Sequence, residues 1–137
     1  MAYNYKDDSI YIIRKDGGQK HSLFRFKKNP FSTQKAEYLC DLKGIKNYHV
    51  VTAMDMHESE NALVVRTYKP DNPWQDSALY EYRYDNIEAL CETQPKKLEH
   101  GQEGQGEAVS YKYREPGIVH LSEGYAPKIF NLGCGIN

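Results

Sequence analysis

Three carboxylates, one arginine and one tryptophan are the residues whose types could do chemistry. Asp55, Glu103 and Glu107, brought together, would hold a divalent cation, and Arg66 beside them would orient an anionic substrate. Arg66 interrupts an apolar stretch between Val65 and Thr67-Tyr68, so it is expected to be at least partly buried and paired with a carboxylate, Asp55 or Glu107. Such a pair would equally serve to fasten one structural unit to the next. Trp74, in the loop Pro73-Trp74-Gln75, offers an aromatic platform for a sugar ring or a protein partner. The stretch from Glu99 to Glu107 is the most polar in the chain, and its glycines 101, 104 and 106 would let backbone approach a ligand. It lacks the order of a phosphate-binding loop and the spacing of an EF-hand, which leaves a connecting loop as the plain reading. His49, His57 and His120 are further polar candidates, but no Gly-x-Ser-x-Gly or other nucleophile motif accompanies them.

The background against which these residues stand is neutral. In 137 residues, 18 Lys and Arg oppose 19 Asp and Glu, a net charge of −1 with no basic run, so no nucleic-acid or anionic-membrane partner is expected. Apolar runs such as 10–13 and 62–65 are far shorter than the roughly 20 residues of a membrane span. The first residues lack the basic start and apolar stretch of an export signal, which makes a cytoplasmic location the default expectation. Cys40, Cys91 and Cys134 are odd in number and form no CxxC pair, so reduced, partly buried thiols are expected, with no structural metal and no cofactor. Calcium is the one ion the carboxylates would take.

The elements that must position these residues are strands. Apolar or aromatic residues recur at every second position in runs rich in Tyr, Val, Ile and Thr, which predicts strands over 9–14, 21–27, 36–41, 50–56, 62–68, 78–84, 87–92, 107–113, 117–122 and 128–132. Turn residues such as Asp16-Gly17-Gly18 and Glu115-Pro116-Gly117 punctuate them. No stretch keeps a helical period.

The strand pattern repeats. Tyr3-Asn4-Tyr5-Lys6-Asp7-Asp8-Ser9-Ile10-Tyr11-Ile12 aligns without gaps on Tyr111-Lys112-Tyr113-Arg114-Glu115-Pro116-Gly117-Ile118-Val119-His120, and residues 55–64 fill the midpoint. Leu23-Phe24-Arg25-Phe26 is echoed by Leu79-Tyr80-Glu81-Tyr82, and Leu39-Cys40 by Leu90-Cys91. A unit of four antiparallel strands with a period of about 50 residues predicts an all-β fold of about three β-propeller blades, half of a six-bladed ring. The blades fall at about 1–42, 50–93 and 106–137 in one domain, the first and last incomplete. Three blades would leave open edges and faces, so it is expected that either a homodimer or another chain supplies the missing blades, or the chain is a piece of a longer propeller.

The segments Val51-Thr52-Ala53-Met54-Asp55, Ala62-Leu63-Val64-Val65-Arg66-Thr67-Tyr68 and Gln105-Gly106-Glu107-Ala108-Val109-Ser110-Tyr111, followed by Leu121-Ser122-Glu123-Gly124, resemble the later blades of a family of uncharacterised bacterial six-bladed propellers. The segment from Ser9 to Lys15 resembles the blade before these. That family is in turn similar to phytase-like and esterase-like propellers. The resemblance implies a propeller but no assigned activity, and the acidic segments of the family's earlier blades have no counterpart here. A binding or interaction module without catalysis is therefore the leading expectation, ahead of a metal-dependent phosphoester or ester hydrolase and a sugar-binding lectin. The ligand would be a small molecule, a sugar or a protein, met by Asp55, Arg66, Glu103, Glu107 and Trp74.

Overall fold

The computed structural model describes residues 1–17, 19–27, 29, 33–73, 76–100, 105–123 and 129–133. The fold is all-β, made of three antiparallel sheets, each a meander of consecutive strands. The first holds β1 (Ala2–Asn4), β2 (Ser9–Ile13), β3 (Ser22–Lys27) and β4 (Glu37–Asp41). The second holds β5 (Val50–Met56), β6 (Ala62–Tyr68), β7 (Ser77–Arg83) and β8 (Lys96–Leu98). The third holds β9 (Gly106–Tyr111), β10 (Ile118–Ser122) and β11 (Ile129–Leu132).

The sheets pack face against face in chain order, and strand alternation decides which residues meet. In the second sheet, Leu63 and Val65 pair across to Tyr82 and Tyr80 and share one face, while Val64 and Arg66 pair to Glu81 and Leu79 and share the other. The first face joins Tyr11 and Leu23 of the first sheet in one apolar cluster. The second meets Val109 and Ile118 of the third sheet in another. With both faces covered, β6 is buried at all seven of its residues, which explains why its sequence reads as a continuous apolar run rather than an alternating one.

Residues 87–92 correct the strand expected there. Asn86, extended at φ −149°, caps one helical turn, α1 (Ile87–Leu90), by accepting from Ala89 N at 2.9 Å. Leu90 is buried beneath it, and the sheet's fourth strand comes later, as β8. The second sheet thus runs to Leu98. The short Ala2–Asn4 strand pairs antiparallel to β2.

The cysteines bring a second correction. Cys40, at the edge of the first sheet, and Cys91, at the C-cap of α1, form a disulfide across 51 residues. The expectation of free thiols fails because spacing rules test neighbouring cysteines, whereas this pair is brought together by stacked sheets. Its sequence signal was the echo itself, Leu39-Cys40 in one unit and Leu90-Cys91 in the next. No helix among the described residues is long and apolar enough to cross a membrane.

Candidate functional site

Two of the residues singled out by type, Arg66 and Asp55, lie in one region, where the second sheet meets the third. Arg66 projects from β6 into this junction and is fully buried. Its guanidinium lies against the backbone of Gly106 on β9: a Cβ at that position would sit 1.6 Å from Nε. Only glycine leaves room for the planar group there. Arg66 NH1 donates to His120 Nδ1 at 2.7 Å. An arginine can only donate, so Nδ1 is the accepting nitrogen and the ring proton resides on Nε2. The His120 ring is stacked at 4.9 Å, within 6° of parallel, on Phe130 of β11.

Asp55 occupies the neighbouring part of the seam. Its Oδ2 accepts from Ser110 Oγ at 2.8 Å and from Tyr111 N at 2.9 Å, both on β9. A β-bulge between Val51 and Ala53 shifts the register of β5, and Thr52 Oγ at the bulge donates to Gly106 O at 2.8 Å. Arg66 is expected to pair with Asp55 or Glu107; among the described contacts Arg66 reaches a histidine acceptor, and Asp55 a hydroxyl and a backbone amide, all on the third sheet. Glu107 is exposed on β9 and accepts from Gln105 Nε2 at 3.0 Å. Glu103 and Trp74 lie outside the described residues. Among the described residues no three His, Cys, Asp or Glu side chains converge in a way that would hold a metal ion.

Sequence reasoning did not find the open space beside this seam. A cleft of 780 Å³ lies between the outer strands of the second sheet and the third sheet. Glu81 of β7, Arg83, Lys96 and Leu98 line one wall, and Tyr111 and Ile118 the other. Glu81, only 8% exposed, accepts from Arg83 NH2 at 3.1 Å and from Tyr111 OH at 3.3 Å. Burial pushes the Tyr111 phenol far above its ordinary range, and the adjacent Glu81 carboxylate adds to the shift. Arg83 is held between Glu81 and Glu60, which strengthens its hold on the proton. His57 closes the cleft at the rim, its ring edge-on to Tyr111 at 5.0 Å and its Nδ1 accepting from Glu60 N at 3.1 Å. The only advance signal was Glu81, a carboxylate inside the alternating run Leu79-Tyr80-Glu81-Tyr82.

The cleft presents groups of both signs, the apolar side chains of Leu98 and Ile118, and the edge of Tyr111. A scan against protein-family models finds no match to the chain, and a search of curated proteins finds none either.

Proposed function

We propose that this chain is a propeller-like binding module without turnover, built of three blade-like units, whose ligand seat is the cleft between its second and third sheets. The propeller part is supported by the repeat and by its geometry. Each unit is a meander whose first strand adjoins the first strand of the next, β1 beside β5 and β5 beside β9, as the inner strands of blades do around an axis. The single observation that carries the binding reading is the cleft itself, which is open, of ligand size, and lined by groups of both signs.

The seat suits a small polar ligand, its anionic end toward the exposed Lys96. The Cys40–Cys91 bond favours an oxidising compartment over the cytoplasm. The test is a thermal-shift screen of small zwitterions and amino sugars, alongside assays on generic phosphoesters and esters with calcium or chelator. Stabilisation that is lost in Lys96→Glu, without turnover in any condition, is the expected result. Calcium-dependent hydrolysis abolished by Asp55→Asn would overturn the reading in favour of a hydrolase.

A further inference from the structure

We infer that the chain carries a second ligand seat, a hollow at one end of the sheets that takes a sugar ring of a neutral glycan, with Tyr5 and Tyr113 as its stacking faces. This goes beyond the cleft. The two spaces adjoin at His57, Glu60 and Tyr111, but Tyr5 and Tyr113 line only the hollow and Lys96 lines only the cleft.

Two tyrosines stand in water at equivalent places of the repeat. Tyr3-Asn4-Tyr5 aligns with Tyr111-Lys112-Tyr113, and in each the last tyrosine lies just beyond a strand, in the turn that follows β1 or β9. Both line one hollow of 570 Å³, where the turns after β1, β5 and β9 come together. The rings are braced. Tyr3 and Tyr5 meet edge to face, their centroids 4.8 Å apart at 77°, and Tyr3 OH donates to Asp8. Arg114, in the left-handed region at φ +60°, lays its guanidinium over the Tyr113 ring at 4.8 Å. Lys6 Nζ donates to Asn61 Oδ1 at 2.7 Å and ties the first of these turns to the second. Even so, Tyr5 is 61% and Tyr113 66% exposed. An aromatic ring already held in place gives up little rotamer freedom when a ligand stacks on it, and a left-handed non-glycine residue beside such a ring is strain of the kind that gathers at ligand sites.

The rest of the lining is rich in acceptors. Asp55 is fixed by Ser110 Oγ and Tyr111 N on Oδ2 and by Met56 N at 3.0 Å on Oδ1, which leaves Oδ1 able to accept once more. Glu58 and Glu115 add exposed carboxylates at the rim. Aromatic faces beside carboxylates call for a ligand with a flat patch of C–H and several O–H donors, and a pyranose ring has both: its axial C–H side lies on a tyrosine while its hydroxyls donate to the carboxylates. A proline-rich peptide would also stack, but its prolines carry no N–H and its carbonyls only accept, so it would leave the carboxylates without a donor. Asp55, Glu58, Glu60 and Glu115 outnumber Lys112 and Arg114 on the lining, which sets the hollow against acidic sugars.

The test is calorimetric titration of the full chain with maltose, cellobiose, lactose and N,N′-diacetylchitobiose, with glucuronic acid and a proline-rich peptide as controls. At least one of the neutral disaccharides is expected to bind with a dissociation constant of about 1 mM or tighter, and neither control should match it. Tyr5→Ala and Tyr113→Ala should each weaken that binding about tenfold, whereas Tyr5→Phe and Tyr113→Phe should leave it within about twofold, because stacking needs the ring and not the hydroxyl. Lys96→Glu, in the cleft, should leave it unchanged. A cooperative thermal transition like that of the parent chain checks the folding of each variant. No binding of any of the four disaccharides, tighter binding of glucuronic acid or of the peptide, or sugar binding that survives both alanine variants would each overturn the inference. Sugar binding lost in Lys96→Glu but kept in the tyrosine variants would place the sugar in the cleft, overturning the second seat while leaving the proposed function standing.

Discussion

The two junctions between sheets are built from different materials. Between the first and second sheets the contact is an apolar cluster of Tyr11, Leu23, Leu63, Val65, Tyr80 and Tyr82, closed by the Cys40–Cys91 bond. Polar groups there are pinned at its margin, with His21 Nε2 donating to His49 O at 2.9 Å and Tyr82 OH to Lys43 O at 2.6 Å. Between the second and third sheets the apolar cluster is small, and a buried arginine, a histidine and an aspartate do the fastening. A non-directional contact tolerates small slips, whereas a buried charge fixes one register because every alternative leaves it unsatisfied. The open cleft lies on the polar side of this division.

Breaking the polar junction should cost most. Arg66→Ala removes a buried donor group, leaves a void over Gly106 and takes a donor from His120, so a loss of about 4 kcal/mol is expected in urea denaturation. Opening the covalent junction comes next. Joining residues 51 apart restrains the unfolded chain, and the loop-entropy relation gives about 4 kcal/mol, of which about 3 is expected in practice when Cys40→Ser and Cys91→Ser are combined. Native-state hydrogen exchange should then show the added opening in β2 and β3 more than in β10. Asp55→Ala should cost about 1–2 kcal/mol by unmaking two accepted hydrogen bonds, read as a lowered urea midpoint.

The smallest effect is one of pH. Burial lowers the His49 pKa, opposed by Asp76, whose Oδ1 is 3.2 Å from Nε2. A histidine that binds its proton more weakly when folded stabilises the fold above its ordinary value of about 6.5 and loses that contribution as pH falls. Asp76 is itself held below the usual carboxylate range, chiefly by its hydrogen bond from Lys46, so its contribution is lost only in more acid solution. Between about pH 7.5 and about pH 5.5 stability should therefore fall with pH, and His49→Gln should flatten that slope in paired denaturation curves.

Much of the fold was legible because strand alternation is a local property. Residues 50–56 and 62–68 were bounded as they stand in β5 and β6, since their ends are marked by turns on either side. Residues 87–92 misled because Ile87, Ala89 and Leu90 suit a strand or a helical turn equally, and the Asn86 cap that decides between them is a single side chain. The site was less legible for a physical reason. Arg66 was read as needing a carboxylate, but a neutral imidazole 54 residues away on the next sheet also accepts from it, and only the stacking of units brings that partner near. The cleft needed two sheets in place before it existed at all.

The central claim is that Arg66 serves as a clasp closed over Gly106, and a double-mutant cycle on these two residues tests it most directly. Gly106→Ala in the parent chain should cost about 2 kcal/mol, because the added methyl must displace the guanidinium, and should cost almost nothing once Arg66→Ala has emptied the space. Equal costs in both backgrounds would contradict the account.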